Sequence, residues 1–203
     1  MVKKISIGVF GAQGAISEHV TMMKKTLDEE NISGNVFVLK NKEELSKVDA
    51  LIIPGGESTT ISKILYNSDL YEAMLKRIKS NNLPIMGTCA GCVILASELT
   101  DNFDNVKLLS AINMKVKRNA YGRQRESFEK DINIKGFSKS FNAVFIRAPA
   151  IEKIWGNCEI LAKIDDNIVM VREDPFIALS FHPELTEDLS IHKYFLDMIK
   201  EKK

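Results

Sequence analysis

This sequence predicts an α/β fold: a mostly parallel central sheet with helices on both faces, extended by antiparallel strands. Three observations point there. Unbroken apolar runs recur through the first half, and helix-length amphipathic segments separate them. Such runs suit strands buried on both faces, the condition of a parallel sheet between helical layers. The second half then changes to short strand-like runs divided by turns.

Taken in order, "ISIGVF" (5–10) opens the chain as a buried strand and ends in "GAQG". With Lys3 and Lys4 before it, it superficially resembles a secretory leader, but the run is shorter than the roughly 7–15 apolar residues such a leader needs. A helix follows over about 15–30, then strand "NVFVLK" (35–40) and a short polar helix at "KEELSK" (42–47). "DALIIPGG" (49–56) is a continuous apolar strand ending in Pro-Gly-Gly. Helical periodicity returns over about 59–66 and 70–80, then comes strand "PIMGT" (84–88) and a helix over about 90–99. Strands and turns are expected in "VKLLSAINMKVKRNAYG" (106–122), "ESFEKDINIKG" (126–136), "NAVFIRAP" (142–149), "CEILAKIDDNIVMVRE" (158–173) and "FIALSFH" (176–182). "IDDNIV" reads as a hairpin turn, because Asp and Asn tolerate the backbone angles it needs. An amphipathic helix over about 186–202 closes the chain, with Leu189, Phe195, Leu196 and Ile199 on its apolar side. No repeat, low-complexity tract or linker interrupts the 203 residues, so a single domain over 1–203 is expected.

The bulk numbers remove several function classes. Lys and Arg total 28 against 27 Asp and Glu, a net charge of +1, which points to neither nucleic acid nor an anionic membrane. "KEKK" (200–203) is a solvated helix end. No apolar stretch approaches the roughly 20 residues of a membrane span. Three cysteines, an odd count in a chain with no need of staples, fit a reducing cytoplasm.

The chemistry centres on "GTCAG" (87–91), between an apolar strand and a helix. Cys89 and Cys92 could form a redox dithiol or half a metal site. The residues around them do not favour the first, and the second lacks ligands: there is no second Cys-x-x-Cys, and the histidines are His19, His182 and His192. Cys92 and Cys158 fit buried apolar roles. Cys89 fits a nucleophile at a sharp strand-to-helix turn. Gly87 and Gly91 let strand and helix approach, the sulfur stands at the carboxyl edge of the sheet, and the Ala90 N–H can donate to an oxyanion.

A nucleophilic cysteine needs a base, and the base needs an orienting carboxylate. "SFHPELTED" (180–188) offers His182 and Glu184, two apart; in extended backbone they project the same way, and Pro183 is expected to keep the segment out of helix. "PGGEST" (54–59) offers a loop whose N–H groups can face a ligand, with Ser58 the expected N-cap of the next helix.

Together, "GAQGA" (11–15), "LIIPGGESTT" (51–60), "GTCAG", "KRNAYGRQRESFE" (117–129), "FIRAP" (145–149) and "SFHPELTED" resemble the class I, triad-type glutamine amidotransferases, specifically the glutaminase subunits of pyridoxal 5′-phosphate (vitamin B6) synthase. The likeness covers essentially the whole chain. It implies a flavodoxin-like three-layer fold and hydrolysis of L-glutamine to glutamate and ammonia through a glutamyl thioester, with no metal or cofactor. Cys89 would be the nucleophile, His182 the base and then the acid, and Glu184 the residue that holds the imidazole. Gly55, Gly56 and Ala90 would form the oxyanion hole. Gly56, Glu57, Ser58, Arg118, Ile146 and Arg147 would bind glutamine; only the resemblance selects Arg118 and Arg147. The carry-over agrees with the ligand's chemistry, since a zwitterion wants Arg or N–H groups at one end and oxygen acceptors at the other.

The family's partner is a (β/α)₈-barrel synthase subunit, without which the glutaminase is poorly active. Gln13 and the helix after it are the expected docking surface. One departure from the family is Cys92, where an aliphatic residue is usual; it is expected to pack as a hydrophobe, and its i, i+3 spacing from Cys89 raises the idea of an inactivating bridge on oxidation. Three rival readings are another glutaminase subunit, for instance that of imidazole glycerol phosphate synthase; a cysteine-elbow protease or chaperone, which usually carries His where this chain has Ala90; and a non-enzymatic relative with a decayed site.

Overall fold

The computed structural model describes residues 4–100, 105–118 and 127–202. Its first half alternates β1 (Ile5–Phe10), α1 (Ile16–Glu29), β2 (Gly34–Leu39), α2 (Lys42–Leu45), β3 (Ala50–Ile53), α3 (Ser58–Tyr66), α4 (Leu70–Lys79), β4 (Ile85–Thr88) and α5 (Ala90–Leu95). The second half holds β5 (Ala96–Leu99), β6 (Ile112–Lys117), β7 (Ser127–Ile132), β8 (Phe141–Ile146), β9 (Ala150–Ile154), β10 (Glu159–Ile164), β11 (Asn167–Glu173) and β12 (Phe176–Leu179). A 3₁₀ turn, Pro183–Leu185, and α6 (Ser190–Glu201) follow.

The main sheet runs β2-β1-β3-β4-β12-β11-β9-β6-β5, with β10 on β11. From β2 to β12 every pairing is parallel, in the order of the flavodoxin-like doubly wound fold. Beyond β12 the pairings turn antiparallel, apart from β5 with β6, and β7 and β8 form a separate antiparallel pair.

The apolar runs are explained by what they touch. In β3, Leu51 and Ile53 enter the cluster formed with α3, α4 and α5, while Ala50 and Ile52 enter the one formed with α1, α6 and the β7–β8 pair. Alternate side chains meet opposite helical layers, so no position on the strand is free to be polar. β12 repeats this, with Phe176 and Ala178 on one side and Ile177 and Leu179 on the other.

Four expectations need correction. The helix expected over 90–99 stops at Leu95: Ala96 turns extended (φ −64°, ψ 155°) and β5 pairs with β6. β9 was not expected; Glu152 and Lys153 break its apolar run, and neighbours on both edges recruit it. The closing helix begins at Ser190 rather than near 186, because Thr186 is extended after the 3₁₀ turn. The backbone at 183–185 is that turn, not an extended strand, and Pro183 sits at its start, where its missing N–H costs nothing. Part of the "KRNAYGRQRESFE" motif, 119–126, lies outside the described residues.

Candidate active site

The carboxyl ends of β1, β3, β4, β8 and β12 converge on one cavity of about 290 Å³. Cys89 follows β4 directly. Its backbone is left-handed (φ 50°, ψ −103°), a conformation costly for a residue with a Cβ, and it is held there by an N–H bond to the Leu179 carbonyl at 2.8 Å. The turn closes only because its glycines are bare. A Cβ on Gly91 would collide with the Ile53 carbonyl, and one on Gly87 would lie 2.6 Å from the Gly91 carbonyl oxygen. The sulfur, nearly covered, faces the Ile146 carbonyl at 3.8 Å.

His182 leaves β12, and its N–H bonds the Val144 carbonyl of β8 at 2.8 Å. Its Nδ1 lies 2.7 Å from Glu184 Oε1. The predicted contact is therefore present, although a 3₁₀ turn rather than an extended strand delivers it. Both side chains are buried, His182 to 7% and Glu184 to 4% exposure. Burial alone would lower the His182 pKa; hydrogen bonding with Cys89 and Glu184, and their charge, outweigh it and raise the imidazole to about 10. Burial likewise pushes the Glu184 carboxyl up, and His19 and His182 together overcome it, so the group stays below its ordinary range.

The β3–α3 loop lies against this pair. A Cβ on Gly55 would collide with the His182 ring and stand 3.1 Å from Cys89 Cβ. Gly14, from the loop after β1, presses on the Gly55 carbonyl. Gln13 Oε1 accepts the Glu57 N–H at 3.2 Å, so the two loops are tied together.

Gly55, Gly56, Glu57, Ser58, Ala90, Arg118, Ile146 and Arg147 all line the cavity with Cys89 and His182. Glu184 stands behind His182, and Gln13 sits outside the lining. Arg147 has a left-handed backbone (φ 43°), which turns the chain at the end of β8. One expectation about this loop is corrected. Glu57, not Ser58, caps α3, its carboxylate accepting the N–H groups of Thr59 at 3.1 Å and Thr60 at 2.7 Å and both their hydroxyls. Slight burial raises its pKa, but those bonds prevail and hold it at about 2. Ser58 is the first helical residue and is buried.

Cys92 lies wholly in the apolar cluster beneath α5, and burial pushes its thiol well up. It packs as a hydrophobe, and a thiol so poor in thiolate is ill suited to the oxidative bridge. Three residues escaped the sequence reading. Val93 and Leu185, apolar at the cavity wall, carried no chemical pattern. His19, from α1, lies fully buried with its Nε2 3.3 Å from Glu184 Oε2; a lone histidine far away in sequence gives no sign of this.

The sequence profile of the SNO glutamine amidotransferase family matches residues 9–201. The chain is 47% identical over 197 residues to the pyridoxal 5′-phosphate synthase subunit PdxT of Thermosipho africanus, covering 97% of this chain and 100% of that one. It is 45% identical to the Brevibacillus brevis protein of the same name, covering 97% and 98%, and 44% identical to that of Pyrococcus furiosus, covering 96% and 99%. Among solved structures, a glutamine amidotransferase superposes with TM-score 0.85 at 40% identity, covering 96% of this chain and 98% of that one. A second, from Thermotoga maritima, shares the fold at TM-score 0.62 and 14% identity, covering 98% and 86%. A profile matched almost end to end, and relatives this similar along their whole lengths, leave one conclusion: the chain belongs to the SNO glutamine amidotransferase family and is a glutamine-hydrolysing enzyme.

Proposed function

We propose that Cys89, His182 and Glu184 hydrolyse L-glutamine through a glutamyl thioester, and that the ammonia passes to a synthase subunit making pyridoxal 5′-phosphate. One observation carries this: a strained cysteine elbow stands beside a histidine whose far nitrogen is bonded, at 2.7 Å, to a buried carboxylate. His182 already holds the proton that Cys89 gives up, paired with the sulfur, and the sulfur attacks the side-chain carbonyl carbon of glutamine. Glu184 keeps Nδ1 protonated and balances the charge the ring gains. N–H groups of the Gly55–Gly56 loop and Ala90 receive the oxyanion. As the tetrahedral intermediate collapses, the C–N bond breaks, His182 gives its proton to the departing nitrogen, and ammonia leaves. Water, deprotonated by His182, then adds to the thioester, and glutamate is released with the thiol restored.

Arg118 and Arg147 suit the α-carboxylate of glutamine, and the Gly56–Glu57–Ser58 loop and Ile146 flank the side chain. Glu57 reaches the ligand with an oxygen pair already engaged in its cap, so it acts as a fixed acceptor. Gln13 and α1 form the docking face for a (β/α)₈-barrel partner, which supports placing the chain's work in a hetero-oligomer. The 203 residues act as one domain. No helix among the described residues is long and apolar enough to cross a membrane, and the three cysteines are free, which favours a reducing cytoplasm as its setting.

The test is glutamate production by the purified chain, alone and mixed with its synthase, for wild type and Cys89→Ala. Wild type is expected to gain activity on mixing, and the variant to lose nearly all of it. An electrophilic glutamine analogue should label Cys89 alone. Full activity in the variant, or labelling elsewhere, overturns the assignment.

A further inference from the structure

We propose that His19 is a positioning residue for the triad: its Nε2 edge, anchored on Thr88, stands against the outer oxygen of Glu184 and by electrostatic attraction holds the carboxylate in the orientation that serves His182. This rests on the catalytic reading above. His19 projects from α1 and is 0% exposed. Its Nε2 lies 3.3 Å from Glu184 Oε2 and 3.1 Å from the hydroxyl of Thr88, the residue before the nucleophile. Glu184 is thus held between two imidazoles, His182 on Oε1 and His19 on Oε2.

The surroundings select the tautomer. A bare Nε2 would aim its lone pair at a buried carboxylate. A proton on Nδ1 would be a buried donor without an acceptor, since that atom meets no partner among the described residues. With the proton on Nε2, the N–H is given to the Thr88 hydroxyl and its positive end lies 3.3 Å from the carboxylate; the contact with Glu184 Oε2 is electrostatic, since that oxygen accepts no hydrogen bond among the described residues. The ring remains neutral. Burial lowers its pKa, Glu184 opposes this, His182 lowers it further and Glu18 opposes. His192 of α6, its ring centroid 5.8 Å away, is also buried and held neutral, so no charge enters from that side.

The consequence is a carboxylate steadied on both oxygens. Without His19, Oε2, which already accepts no hydrogen bond among the described residues, loses a nearby positive N–H edge as well. Glu184 then takes up a proton more readily and releases its grip on His182 Nδ1. Substrate affinity is untouched, because His19 does not line the cavity.

Three variants separate positioning from mere filling of space. His19→Leu keeps much of the volume and removes the donor. His19→Gln returns an N–H near the Nε2 position, and His19→Asn returns one that falls short of it. Glutamine hydrolysis with the synthase present is measured across pH, and alkylation of Cys89 by iodoacetamide is followed across pH in the isolated chain, with thermal melting as the folding control. His19→Leu is expected to lower kcat roughly tenfold to hundredfold, in line with losses seen when outer partners of a site are removed. KM should hold, and the acid limb should move to higher pH in both assays. His19→Gln should restore kcat and the limb, and His19→Asn should not. A folded His19→Leu with wild-type kcat and limb overturns the proposal, as does equal loss in the Gln and Asn variants with the limb unmoved. If His19→Leu fails to fold, the Gln and Asn pair decides alone. Absence of glutamine hydrolysis by wild type would fail the catalytic reading, whereas identical alkylation profiles in wild type and variants would fail the role of His19 by itself.

Discussion

His182 holds its proton far more tightly than a free imidazole, and that has a direction with pH. Its pKa is raised to about 10, against an ordinary 6.5, by Cys89 and Glu184 acting against burial. A raised basic group contributes stability that is complete below its unfolded pKa and lost as pH climbs through the folded value. The favourable interaction is therefore whole below about 6.5 and fades between there and about 10. Glu184 works in the opposite sense: its lowered pKa adds stability above the ordinary carboxylate value, lost as pH falls through the folded one. Because Cys89 is a leading cause of the His182 shift, Cys89→Ala should bring the imidazole pKa down while Glu184 keeps it above the ordinary value. Ring-proton NMR titration of His182 in both proteins measures this; an unchanged midpoint would mean that the thiol and imidazole do not interact.

Among the elements, α3 shows how a loop can serve the ligand and the fold at once. Its first turn is capped entirely by Glu57, whose carboxylate receives the N–H groups of Thr59 and Thr60. Removing an N-cap side chain costs about 0.5–2 kcal/mol. Glu57→Ala should therefore lower the stability found in urea unfolding by about 1 kcal/mol at neutral pH. The gap between wild type and variant should narrow as pH falls from 4.5 towards about 2, because protonation weakens the cap. The charge-linked part is small, since the group is exposed and water screens it. A gap that stays constant through that range would show that the carboxylate's charge plays no part. Pro54-Gly55-Gly56 signalled the turn, but three cap candidates follow in a row, Glu57, Ser58 and Thr59, and sequence preference favours the shorter polar side chains. The α5–β5 boundary was illegible for another reason. "AGCVILASEL" satisfies helical and extended patterns alike, and β6, many residues later, decides it.

At the scale of the whole molecule, the sequence made legible whatever is written locally. Apolar runs marked the parallel strands, because both helical layers press on each one, and small residues marked the elbow, because Ile53 leaves no room for a Cβ. Contacts made by single side chains across the fold stayed hidden, His19 with Glu184 above all. What the topology does dictate is that every reactive group stands at the carboxyl edge of one sheet, beside the loop of Gln13 and Gly14. A partner covering that edge would close the mouth of the cavity, where Leu185 presents an exposed apolar side chain. Ammonia released there would then meet protein before it meets water. That matters chemically, because in neutral water it becomes ammonium, which has no lone pair with which to attack. Nitrogen from glutamine should therefore enter the synthase product without mixing with ammonium in solution. Amide-¹⁵N glutamine supplied with excess unlabelled ammonium, at a pH low enough to suppress free ammonia, should give product carrying the label almost undiluted. Dilution to the ratio of the bulk pool would show that the nitrogen escapes before use, and the covered edge would lose its purpose.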